Sequence, residues 1–258
     1  MTQPAARTFT KSRADAPLDF FAWEAAGLSW LGEAADAGGV DVVDVRDAGP
    51  ISIVLGRVEP VPATGKAAEQ FGRALARTHA AGASDFGTGP PGWSGPGFIG
   101  RQDLALQAFP RWGQFYGELR LLPYARAAVR VGHLTEATLQ AVERLCDVLA
   151  AGEFDDGRPP SRIHGDLWGG NVLYGAGGAV LIDPAAHGGH GLTDLAMLAL
   201  FGTEHLASVM QAYAEAAELP GDWRSLIPLH QLHPVLVHAV SHGASYGRHA
   251  AELVSHFV

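Results

Sequence analysis

Cysteine is nearly absent: the 258-residue chain holds only Cys146, so neither an internal disulfide framework nor a cysteine-based zinc site is available. Cys146 falls in an apolar helical pattern and reads as a buried core thiol. Basic residues are scarce, with 18 Lys and Arg against 27 Asp and Glu and a formal net charge of −9. That balance excludes the basic stripes that nucleic-acid backbones require. A metal and one or two basic groups still let an acidic chain bind a nucleotide. No apolar run reaches membrane-spanning length, and the first ten residues lack the apolar core of a secretion signal. The expectation is a cytoplasmic protein in a reducing compartment. Residues 87–97 are Gly-rich but lack the strand–GxxxxGK[ST]–helix context of a P-loop, and no G-x-S-x-G elbow is present. What is there is ordinary for a globular enzyme, 47% hydrophobic and 17% charged residues, and wrong for a disordered chain.

Along the chain, residues 7–11 read as the end of a strand and residues 18–32 as a helix containing Glu24. Residues 40–45 and 51–55 read as strands around the turn signal Asp47-Ala48-Gly49-Pro50. Thr64 caps a helix that carries Phe71, Leu75, Thr78 and His79 on one face. Residues 82–101, rich in Gly and Pro, read as a long loop. Helices follow over 112–129 and, with Thr135 as cap, over 137–151. Residues 163–171 form a polar loop, and 171–174 and 179–182 form a hairpin around Gly175-Ala176-Gly177-Gly178. From Thr193 the chain is helical, with breaks at Pro220, Pro228 and Pro234. This order predicts an α+β protein: a β-rich N-terminal lobe over residues 1–62, a mainly helical C-terminal lobe over 63–258, and a cleft between them.

The chemistry concentrates in His164-Gly165-Asp166-Leu167-Trp168-Gly169-Gly170-Asn171, followed by the hairpin and Ile182-Asp183-Pro184. The pattern H-x-D-x-x-x-x-N with a further Asp after the next strand is kinase catalytic-loop logic. Phosphoryl transfer needs a carboxylate to orient the attacking hydroxyl, metal ions on the phosphate oxygens, and nearby positive charge. Asp166 suits the first task, while Asn171 and Asp183 supply oxygen donors for a hard cation. His164 reads as a hydrogen-bonded brace for the loop rather than a base. A lone HGD would be no more than a turn; the full set at this spacing is far more specific.

The same residues, with Leu181-Ile182-Asp183-Pro184-Ala185, Gly189-His190, Asp194-Leu195-Ala196-Met197 and Leu200-Phe201-Gly202, resemble the fructosamine kinase family. The likeness extends to Gly97-Phe98-Ile99-Gly100, Arg120-Leu121-Leu122-Pro123, Ala212-Tyr213-Ala214-Glu215 and Leu229 through Pro234. It implies the protein-kinase-like two-lobed fold, ATP and Mg²⁺ as cofactors, and phosphorylation of a sugar hydroxyl of ketosamines such as fructosamines or ribulosamines, a deglycation repair role. It implies a monomer. It implies that Lys11 pairs with nucleotide phosphates, Glu24 holds that lysine, and Asp194 supports the catalytic loop. Trp168 either packs against the sugar or anchors the core. His187 and His190 follow Asp183 closely enough to line the acceptor side.

Two departures from the family pattern stand out. Only ten residues precede Lys11, too few for the Gly-containing hairpin that covers the phosphates in the family. Gly191-Leu192 also replaces the family's usual Arg-Glu. The alternatives are therefore a same-fold kinase for an aminoglycoside or amino alcohol, or a catalytically impaired nucleotide-binding relative. His238 and His242, four apart on an expected helix, lack the carboxylate partner of a HExxH-like zinc site and read better as satisfied or cleft-lining histidines.

Overall fold

The computed structural model describes residues 8–258; Arg7, which the sequence places in the first strand, lies outside the described residues. The first strand, β1 (Thr8–Ser12), leads through a turn to helix α1 (Phe20–Gly32). Strands β2 (Asp41–Val42), β3 (Val45–Ala48) and β4 (Ser52–Gly56) follow. β1, β4 and β3 form an antiparallel sheet in which Lys11 lies opposite Ile53 and Phe9 opposite Leu55. Because side chains alternate across a strand, Phe9 and Lys11 share one face. Val43, Ile53 and Leu55 pack against Phe21 and Leu28 of α1 to form a small core.

Helix α2 (Gly65–Ala80) starts at Thr64, whose hydroxyl accepts the Ala67 N–H at 3.1 Å. Residues 82–101, read from sequence as a loop, contain the first strand of a short hairpin instead. β5 (Gly97–Ile99) pairs with β6 (Gln102–Leu104). Strands this short carry no periodic signal of their own, and Phe98, Ile99 and Leu104 are fixed by burial in the main core.

The expected helix over 112–129 runs continuously from α3 (Trp112–Phe115) through a π-helical stretch, Tyr116–Leu121, into α4 (Leu122–Arg130). Helix α5 (Glu136–Ala151) begins at Thr135, which accepts the Thr138 N–H at 3.1 Å, and ends at Gly152 with φ 90°.

Strand β7 (Ser161–Ile163) precedes the catalytic-type loop, and the hairpin β8 (Val172–Gly175) and β9 (Gly178–Leu181) follows it. β10 (His187–Gly189) returns to pair with β7, while β2 adds to β9 in parallel. The chain closes with α6 (Leu192–Phe201), α7 (Leu206–Ala216), α8 (Ile227–His242) and α9 (Ala244–Val254).

Pro234 does not break the chain into two helices, contrary to the expectation from sequence; it sits inside α8. The Tyr116 hydroxyl explains how the helix tolerates it. That hydroxyl donates to the Leu229 carbonyl at 2.9 Å and accepts the His233 N–H at 3.2 Å, bridging one rung of the helical ladder beside the proline. Pro228 lies in the first turn of α8, where a missing N–H costs nothing.

Candidate active site

The loop after β7 is shaped by a buried carboxylate. Asp194, in the first turn of α6, accepts the backbone N–H of His164 at 2.7 Å and of Gly165 at 2.9 Å. Its Oδ2 also accepts from His79 Nε2 at 3.0 Å, and the Tyr213 hydroxyl donates to His79 Nδ1 at 2.7 Å. Burial penalises the Asp194 charge, but the partnership with His79 and the other donors outweighs it and holds the carboxyl below its ordinary value. Gly165 adopts φ +79°, and a side chain there would strike the Ala185 carbonyl and the His187 ring.

His164 spends both ring nitrogens on the same segment. Its Nε2 donates to the Ile182 carbonyl at 2.9 Å, and its Nδ1 accepts the Asp166 N–H at 3.2 Å. Burial lowers its pKa, so the ring is neutral and committed to this tautomer. Asn171, almost fully buried, donates its amide to the Asp166 carbonyl at 2.8 Å. The same Nδ2 lies 3.5 Å from the backbone carbonyl of Asp183, which adopts φ +54°, a left-handed conformation that non-glycine residues avoid.

Lys11 Nζ lies 2.9 Å from Glu24 Oε2 and 3.0 Å from Asp183 Oδ1. Burial works against the Lys11 ammonium, but the two carboxylates win and raise its pKa. Burial pushes Glu24 up, to about 7, with Asp183 adding to it and Lys11 opposing. Asp166 is likewise raised to about 7, first by burial and then by Asp183 and Asp194, against Lys11 and Asn171. Asp166, Lys11, Glu24 and Asp183 line one small cavity of about 110 Å³.

That cavity joins two larger ones through shared residues. On one side Lys11 and Asp183 also border a space of about 540 Å³ between the N-terminal sheet and the β8–β9 hairpin, walled by Phe9, Val43, Leu55, Val58, Leu173 and Ile182. Its volume and mostly apolar lining fall within the range of small-molecule pockets. On the other side Asp166 and Gly100 border a space of about 550 Å³ lined by Trp168, Met197, Phe201 and His238, among others. The order is apolar slot, charged centre, second cavity, the side on which the sequence reading expects the acceptor.

Trp168 is 44% exposed with its ring at the acceptor-side cavity, over Gly170, where a β-carbon would collide with it. His187 and His190 do not line that side, a correction to the sequence expectation. His187 is 2% exposed, with Nδ1 on the Ala185 carbonyl at 2.8 Å and Nε2 taking the Arg120 Nε–H at 3.3 Å. His190 Nε2 meets Asp156 Oδ2 at 3.1 Å, and its Nδ1 accepts the Leu192 N–H. Both are internal struts.

Sequence reading also missed the slot walls Val43, Val58 and Leu173, whose only signal was strand hydrophobicity. It missed Arg120 and His79 as buried supports as well. His238 and His242 stack on each other beside the acceptor-side cavity, and no group of three or more His, Cys, Asp or Glu among the described residues is arranged to hold a metal.

A small sheet set over a helical body, with a charged centre between an apolar slot and a second cavity, defines a kinase-like phosphotransferase. Solved structures bear out the fold. An aminoglycoside phosphotransferase, 17% identical, superposes with a TM-score of 0.56 over 98% of this chain and 89% of its own. A protein from Thermobifida fusca named as a candidate fructosamine-3-kinase is 43% identical, with a TM-score of 0.87 over 96% of this chain and 84% of its own.

The family profile for fructosamine kinase matches residues 1–258, and the chain belongs to that family, phosphotransferases with an alcohol group as acceptor. A "Probable ketoamine kinase" of Thermus thermophilus is 30% identical over 243 residues, 93% of this chain and 83% of the relative. One of Escherichia coli K12 is 29% identical over 202 residues, 75% of this chain but only 65% of the relative's length. No helix among the described residues is long and apolar enough to cross a membrane.

Proposed function

We propose that this chain transfers the γ-phosphoryl group of ATP to a sugar hydroxyl of a ketosamine, a fructosamine or ribulosamine, and so serves the repair of glycated amines in the cytoplasm. On this reading the division expected from sequence, a β-rich N-terminal lobe over 1–62 and a mainly helical lobe over 63–258, sets the nucleotide against the N-terminal sheet. One observation carries the reading: Asp166 borders both the cavity that holds Lys11 and Asp183 and the cavity that holds Trp168. A hydroxyl placed beside Asp166 therefore faces the phosphate end of a nucleotide lying in the apolar slot.

The donor set fits magnesium, since Asp183 and the Asn171 side-chain oxygen are hard oxygen ligands and this ion takes one or two such groups plus phosphates. A bound ion would neutralise charge on the phosphate oxygens. Lys11 adds positive charge beside them, and Glu24 keeps its side chain extended. Asp166 orients the acceptor hydroxyl and takes its proton as the new O–P bond forms. The bond between the γ-phosphorus and the bridging oxygen breaks, and ADP leaves with that electron pair.

The test is ADP release with purified enzyme and MgATP, comparing ribulose-lysine and fructose-lysine with kanamycin and ethanolamine. Turnover of the sugar–amine adducts with phosphate on a sugar oxygen supports the reading. Exclusive turnover of an aminoglycoside or amino alcohol overturns the substrate, and nucleotide binding without turnover of any acceptor overturns the activity.

A further inference from the structure

Arg120 is 1% exposed, and no Asp or Glu among the described residues pairs with it. Burial lowers its pKa to about 10, so the guanidinium is charged at neutral pH. A buried cation without a countercharge costs several kcal/mol unless hydrogen bonds replace its water. Its Nη1 donates to the Ala105 carbonyl at 2.9 Å and the Leu119 carbonyl at 3.2 Å, and the guanidinium carbon lies 4.7 Å over the Phe115 ring. Nη2 has no partner among the described residues. As scaffolding alone, an apolar side chain of similar length would serve the fold as well.

The remaining donor gives the arginine a direction. Its Nε–H goes to His187 Nε2 at 3.3 Å, and His187 Nδ1 lies 2.8 Å from the Ala185 carbonyl. That carbonyl can only accept, so the ring proton is on Nδ1 and Nε2 is the acceptor for Arg120. The Ala185 N–H donates in turn to the His164 carbonyl at 2.9 Å. Ala185 is thus pinned from both sides, two residues after Asp183, with Pro184 between them fixing one dihedral. Gly165, next to Asp166, has no side chain and so leaves room for the Ala185 carbonyl and the His187 ring.

The other end of this line is fixed as well. Arg120 lies in the π-helical stretch, a wide winding that recurs at functional sites. Its own carbonyl accepts from His233 Nδ1 of α8 at 3.0 Å, and Ala105 directly follows β6. The arginine is therefore anchored to two elements besides its own before it reaches His187.

We propose that Arg120, acting through His187, is a positioning residue for Asp183, setting the segment that presents this carboxylate to a bound magnesium ion. This rests on the kinase reading above and adds to it a residue outside the site. Arg120 lines none of the three cavities, so its effect reaches the metal only through the segment it holds. Groups that orient a metal ligand are worth about tenfold to a hundredfold in metal affinity or activity.

The experiment measures ADP binding by calorimetry with and without Mg²⁺, and turnover of ATP with ribulose-lysine against Mg²⁺ concentration. It compares wild type, Arg120→Lys, His187→Gln and the double variant. Lysine keeps the charge but cannot serve His187 and two carbonyls together. Glutamine at 187 keeps an acceptor for Arg120 but loses the donor to Ala185. Both single variants are expected to bind ADP alone as wild type does. Each should lose about tenfold of the tightening that Mg²⁺ brings and about tenfold in kcat. The double variant should be no worse than the weaker single, because the two residues act along one line.

Variants that melt lower but keep the wild-type response to Mg²⁺ overturn the proposal and leave Arg120 as packing. A double variant whose loss is the product of the single losses overturns the route through His187. If Arg120→Lys does not fold, His187→Gln decides alone, and a wild-type Mg²⁺ response there overturns the proposal. If wild-type ADP binding is itself indifferent to Mg²⁺, the metal role of Asp183 fails and this inference falls with it.

Discussion

Lys11 reaches Asp183 at 3.0 Å while it holds Glu24 at 2.9 Å. One cation thus ties the carboxylate of helix α1 to that of the β8–β9 hairpin. It also restrains the charge repulsion felt by Asp166. Lys11→Met is expected to lower kcat about a hundredfold and to raise KM for ATP. Without the ammonium, both Glu24 and Asp166 favour their neutral forms more strongly, so their pKa values climb above about 7. The acid limb of the residual activity should move to higher pH in the variant, which a pH–rate profile reads directly.

Asp166→Asn is expected to cost 10² to 10⁴ in kcat, about what a positioned proton acceptor contributes. Its stability effect should have the opposite sign. The folded carboxyl titrates near 7 rather than 3.8, chiefly because of burial. Its contribution to stability is therefore greatest below pH 4 and declines as pH rises towards 7. The neutral asparagine escapes that loss, so the variant should melt a few degrees higher than wild type at pH 8 and show little gain at pH 4. Thermal melts at the two pH values, beside turnover assays, decide both parts.

Four buried histidines set the acid limit of the fold. His164, His187, His230 and His233 all have depressed pKa values, with burial the first cause in each and His233 carried to about 3. Below their ordinary 6.5, the unfolded chain takes up protons that the folded chain refuses, so stability falls as pH drops. Asp166 and Glu24 act in the other direction between about pH 4 and 7 but are outnumbered. Each unmatched proton is worth about 1.4 kcal/mol per pH unit. Urea midpoints should fall from pH 6.5 to 4.5, and His233→Gln should flatten that slope.

The support beneath the catalytic loop can be dissected from the far end. Tyr213→Phe removes the hydroxyl that donates to His79 but leaves Asp194 with its backbone donors. About 1 kcal/mol of stability should be lost, with a modest drop in kcat. Asp194→Ala leaves the N–H groups of His164 and Gly165 and the His79 ring unpartnered in the interior, and should cost about 3 kcal/mol or more. Denaturant melts of the two variants should therefore separate clearly.

Much of this was legible in the chain. The loop from His164 to Asn171 and the hairpin to Asp183 are local, with spacing set by strand geometry, and the caps at Thr64 and Thr135 are single-residue signals. What stayed hidden depends on partners far along the chain. His187 and His190 follow Asp183 closely enough to suggest an acceptor wall. Their ring nitrogens are satisfied instead by Arg120 and Asp156, 67 and 34 residues away. The β5–β6 hairpin vanished into a Gly-rich stretch because strands of three residues have no period to detect. Pro234 looked like a break because the sequence does not reveal that Tyr116 bridges the ladder beside it.

Gly27 has a consequence beyond packing. A β-carbon at that position of α1 would press to 3.2 Å of both Pro184 and Ala186, so its absence allows the helix to seat directly on the segment that follows Asp183. Seated there, the helix presents Glu24 to Lys11 at 2.9 Å. One missing methyl group thus lets α1 bring its carboxylate to the lysine that also meets Asp183, so helix seating and charge placement are set by the same contact.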